Sequence, residues 1–161
     1  MFWEEKIDIL QKQFSSQDFH VPFTKWTNII KNIEAAFIIH DSNYRYSNWS
    51  ERIKQKTFIG IVTLPEIYQH VHQLESNTNY WVVIVQGQTP TSKHLVYDCK
   101  PIAMIALLEF TSADFYVIDK KYNWIVVCEL NQNSSTYSIS KSGSGQTPFD
   151  GFSQHQSNPY L

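Results

Sequence analysis

The chain has 161 residues, 42% of them hydrophobic and 15% aromatic, with fifteen acidic against thirteen basic side chains and a formal net charge of −2. So much apolar and aromatic content excludes a disordered polypeptide, and the length suits one domain large enough to bury a core. The near-neutral balance argues against a general nucleic-acid binder.

Trp3, Ile7, Leu10 and Phe14 recur at helical spacing and predict an amphipathic first helix, its N-terminal end complemented by Glu4 and Glu5. A second helix is predicted over Lys25 to Phe37, with Trp26, Ile30, Ile33 and Phe37 on its buried face and Thr24 as N-cap. Asp41 to Ser47 reads as a polar loop holding Tyr44 and Tyr46, followed by a short helical turn from Trp49 to Lys56. Phe58–Val62 predicts a strand. Thr63-Leu64-Pro65-Glu66 has the form of a capping box opening a third helix with Leu64, Ile67, Val71 and Leu74 on one face.

Tyr80–Gln86 is apolar on both alternations, as in a central strand covered on two sides. His94–Asp98 is a returning strand. Ile102–Leu108 is expected to be a buried helix, although an apolar run of this length also fits a strand. Asp114–Asp119 and Asn123–Leu130, joined by Lys120-Lys121-Tyr122, predict an antiparallel hairpin, and Thr136–Ser140 a further strand. The fold class is α+β, a mostly antiparallel sheet covered by N-terminal and central helices. A single domain is expected over residues 1–140, with residues 141–161 as a mobile polar tail.

The start Met1-Phe2-Trp3-Glu4-Glu5-Lys6 lacks the basic and apolar regions of a secretory signal, and no run approaches the roughly 18 apolar residues that span a bilayer. Two cysteines, Cys99 and Cys128, are too few for a disulfide framework and are expected to be reduced and buried. A cytoplasmic protein without membrane or nucleic-acid partners is expected.

Candidate chemistry is sparse. His70 and His72 on a helix lie about 200° apart and cannot clamp one metal. His94 and Cys99, five residues apart around a strand, face opposite sides, which disfavours a nucleophile–base pair. The five glycines form no phosphate-cradling loop between a strand and a helix, so no cofactor is expected. Glu129 ends an otherwise apolar stripe and is the best single candidate for a functional acid. A position at the sheet rim is favoured over burial, which would raise its pKa. Tyr44, Tyr46 and Trp49 in their polar loop, with Tyr122 at the hairpin turn, are candidate binding residues. The three loop rings serve either as interface anchors or as a lid folded onto the core.

Asp114–Asn131, with its Tyr, Asp-Lys-Lys-Tyr, Trp and Glu-Leu-Asn sequence, resembles an aromatic-rich hairpin of small bacterial cytosolic proteins. Some of these are similar to immunity proteins of toxin gene clusters, including the SUKH class, and Leu64-Pro65-Glu66-Ile67-Tyr68 is a partial echo of that class's Leu-Pro-x-x-Tyr helix start. The resemblance implies a cytosolic bacterial protein that binds a protein; together with the missing catalytic constellations and the loop aromatics it favours a non-enzymatic binding module, with a toxin domain as candidate partner. It carries over no active-site residue. The alternative is a small enzyme with an acid/base site around Glu129, and either a monomer or a homodimer is compatible with the sequence.

Overall fold

The first helical stripe folds as expected in the computed structural model, which describes residues 1–40, 49–87, 93–145 and 147–151. Helix α1 (Trp3–Gln13) turns Ile7 and Leu10 into the core, with Trp3 and Phe14 half-buried beside them. After Phe14 the chain makes a two-residue strand, β1 (Phe19–His20), too short to register as periodicity.

Helix α2 (Trp26–Phe37) differs from expectation in phase. Its buried residues are Ile29, Ile33 and Phe37, whereas Ile30 is half-buried and Trp26 is exposed. The apolar pair Ile29-Ile30 supplies two stripes that share Ile33 and Phe37, and packing chooses the one one position earlier. Lys25 occupies the N-cap without a side-chain cap, in place of Thr24.

Strand β2 (Thr57–Thr63) leads into α3 (Leu64–Val71), where Pro65 stands in the first turn. The expected capping box takes another form, because Thr63 Oγ1 donates to Glu66 Oε1 (3.1 Å) and makes no side-chain bond to the helix backbone. Strands β3 (Tyr80–Gln86) and β4 (Lys93–Cys99) follow, then α4 (Pro101–Leu108). The apolar run after Pro101 is thus a helix, with Ala103, Met104, Leu107 and Leu108 buried. Strands β5 (Phe115–Asp119), β6 (Trp124–Leu130) and β7 (Thr136–Gly143) complete a seven-stranded sheet in the order β1-β4-β3-β5-β6-β7-β2. All six pairings are antiparallel, so the protein is an α+β domain.

Both faces of the sheet are covered. On one, α1, α3 and α4 enclose Leu10, Ile67, Val82, Met104, Val117 and Cys128. On the other, α2 and the 3-10 turn Trp49–Glu51 cover Val83, Val96, Tyr116, Ile118 and Val127. This two-sided burial explains why β3 reads as apolar on both alternations.

The boundary expected at residue 140 falls inside β7, which runs to Gly143. Beyond it, the 3-10 turn Pro148–Gly151 buries Phe149 completely, and Lys141 pairs with Asp150 (2.8 Å). The packed unit therefore extends at least to this turn. The remainder of the expected tail, 152–161, lies outside the described residues.

Candidate functional site

The sequence-derived candidates among the described residues each have a definite place. Trp49, for which an interface anchor and a lid on the core were both open, is 1% exposed. Its ring stacks on His94 at 4.2 Å and 14° and tilts against Tyr116, and its Nε1 donates to Glu34 (3.3 Å). The lid alternative holds for Trp49, which is core and no anchor. Tyr44 and Tyr46 lie outside the described residues. Tyr122 sits in the left-handed region (φ 57°) of the β5–β6 turn, half-buried against α2's side of the sheet. Asp119 Oδ1 accepts the amides of Asn123 (2.7 Å) and Trp124 (3.0 Å), so its carboxylate serves to hold that turn.

Glu129 stands at the rim, where its Oε1 accepts from Lys56 Nζ (2.8 Å), which also donates to the Ser50 carbonyl (2.9 Å). Neighbouring Asp114 is half-buried; burial raises its pKa despite a bond from the Leu130 amide (2.8 Å). Cys99 and Cys128 are free and buried, and burial drives both thiols well above their ordinary range. Cys99 packs on the α1 side and His94 on the Trp49 side, so they do not meet. His70 is buried, its Nδ1 2.8 Å from the Glu66 carbonyl, while His72 is exposed. Among the described residues no group of three or more His, Cys, Asp or Glu side chains could hold a metal.

The feature that sequence reasoning missed lies at the β4 edge of the sheet. Strand β1 pairs with β4 for two residues only, Phe19 opposite Cys99 and His20 opposite Asp98. Its continuation would place Pro22 opposite Val96, and proline has no N–H to give. The chain instead turns away, with the Phe23 amide on the Val21 carbonyl (2.9 Å) and the Trp26 amide on the Pro22 carbonyl (3.1 Å). This leaves a groove of about 550 Å³ between the residues from Val21 to Ile30 and β4. Phe23 (73% exposed) and Trp26 (48% exposed) wall it, and His94, Leu95 and Val96 form its floor. His94 Nε2 is buried and without a hydrogen-bond partner among the described residues, and burial pulls the ring's pKa down from 6.5 to about 4.

Two other clefts are less apolar. One of about 180 Å³ lies among Trp3, Leu95, Phe110 and Thr111. The other, wide and open, joins His20, Asn79, Asp98, Lys100 and Lys120, but there Lys120 pairs with Asp98 (2.7 Å) and Lys100 with Asp18 (2.8 Å). Glu129 lines none of the three.

A family model matches residues 4–142, which is the chain from α1 almost to the end of β7. The chain belongs to DUF6756, a family of unknown function. Within that matched span lie β1, Pro22, the Phe23–Trp26 wall and β4, which frame the groove. No curated protein matches the chain, and no solved structure does. No helix among the described residues is long and apolar enough to cross a membrane.

Proposed function

We propose that this protein is a non-enzymatic protein-binding module, and that it binds through the groove beside β4. The observation that carries this reading is the pair of large rings, Phe23 and Trp26, held in water next to an apolar cleft. Aromatic side chains exposed together at a cleft mark interaction sites, because association removes them from water at little conformational cost. The anchors of this reading stand at the start of α2; of the loop candidates, Trp49 is buried, and Tyr44 and Tyr46 lie outside the described residues.

A toxin domain is the partner class we place first, following the likeness of the Asp114–Asn131 hairpin to immunity proteins. The net charge of −2 points away from a strongly basic nuclease as that partner. The test is affinity capture from the native host with wild type and with Phe23→Ala/Trp26→Ala, after checking that both give the same thermal unfolding. A protein retained by wild type and lost by the double variant supports the reading. Equal retention by both contradicts it.

A further inference from the structure

Among the described residues, part of strand β4's outer backbone has no strand partner along the groove. The Val85 amide donates to Asp114 (2.9 Å), away from β4, so the even-numbered residues of β3 are the ones that bond β4. Their partners are Lys93, Leu95, Tyr97 and Cys99. The even-numbered residues of β4 face the other way, as the Lys100 amide on the Asp18 carbonyl (2.9 Å) confirms. Asp98 is taken up by His20, but His94 and Val96 oppose no strand among the described residues. Among the described residues, the two amides and two carbonyls of His94 and Val96 thus have no strand partner along a lane from Lys93 to Tyr97, about 14 Å long at strand rise, with the Val96 side chain itself buried. Such an edge is a template for another strand.

We infer that this lane takes an extended segment of a partner protein, added beside β4 as an eighth strand; the inference rests on the proposed binding role of the groove. Backbone bonds to His94 and Val96 hold the segment. Side chains opposite those two residues point to the α2 face, beneath Trp26 and Ile30, and must be apolar to fill that space. Lys93, exposed at the open end and without an ion-pair partner among the described residues, favours an acidic residue there. The end nearer Asp98 is closed by β1, which limits the segment to about five residues. A second copy of this chain fits less well. A two-fold axis normal to the sheet would bring two Phe23–Trp26 walls onto the same face over one short lane. The opposite edge, β2, is interrupted by a register shift between Phe58 and Gly60, an irregularity that discourages addition.

The probe is a random library of short displayed peptides, selected on the full chain. An enriched peptide is then resynthesised with one N-methyl group at each backbone position in turn, and its affinity is measured by fluorescence anisotropy. Strand addition predicts weakening of about tenfold at alternate positions only, and a comparable loss with Trp26→Ala. Equal tolerance of methylation everywhere, with Trp26→Ala still weakening binding, overturns strand addition but leaves the groove's binding role intact. Indifference to Trp26→Ala overturns both. Failure to enrich any peptide, or a dimer of the peptide-free protein that Trp26→Ala dissolves in sedimentation, overturns the partner segment.

Discussion

Trp49 and His94 form one packed unit, with the indole fully buried and the imidazole stacked on it. Truncating the indole removes a large core volume and its bond to Glu34, so Trp49→Ala should cost about 3–5 kcal/mol in urea unfolding. His94 makes stability depend on pH. Its folded pKa, about 4, lies below the ordinary 6.5, so the unfolded chain takes up the proton first. Stability is therefore full above about pH 6.5 and falls as pH drops toward 4, by about 2 kcal/mol at about pH 5. His94→Phe keeps a stacking ring and removes the titration. Its unfolding free energy should lose about 2 kcal/mol less than wild type between neutral pH and about pH 5, and parallel pH profiles would contradict the assignment. Cys99 and Cys128, buried with raised pKa values, should ignore a thiol reagent until the protein is unfolded. The inertness of the cysteines was legible from their apolar neighbours. The burial of Trp49 was not, because a large ring among polar residues fits a surface anchor and a lid equally well until its stacking partner, forty-five positions away in the chain, is known.

At the scale of elements, periodicity succeeded wherever one face of a helix or strand is apolar and continuous. The α1 stripe, the β5–β6 hairpin and the doubly apolar β3 all stand where their patterns put them. It failed where the deciding interaction is long in sequence. The buried face of α2 depends on which of two overlapping stripes meets β4. Strand β1 exists only because β4 offers it a ladder, and Pro22 limits it to two residues. The end of the domain was misplaced because β7 continues in Ser and Lys past Ser140. Its outer end is locked by Gly143, which has φ +99°, and where an added Cβ would lie 2.1 Å from the Asn123 carbonyl oxygen. Gly143→Ala should thus lower stability by about 1–3 kcal/mol in the same unfolding assay. A neutral effect would mean that the β6–β7 end yields to accommodate the methyl group.

For the whole molecule, the fold explains why an apolar cleft survives on a well-packed domain. Six antiparallel pairings satisfy the interior strands, and helices cover both faces. Only the edges remain, and at one of them a proline diverts the chain that would have closed it. Because Phe23 and Trp26 are turned to water, replacing both by alanine should change stability by less than about 1 kcal/mol while abolishing partner capture. Separation of those two effects would support a surface kept for binding. The most direct check on the open edge needs no partner: amide hydrogen exchange along β4 of the isolated protein, read residue by residue by NMR. Leu95 and Tyr97, bonded to β3, should be strongly protected, while His94 and Val96 between them should exchange on the order of a hundredfold faster. Equal protection at all four positions would mean that the edge is already closed, and the lane for an added strand would not exist.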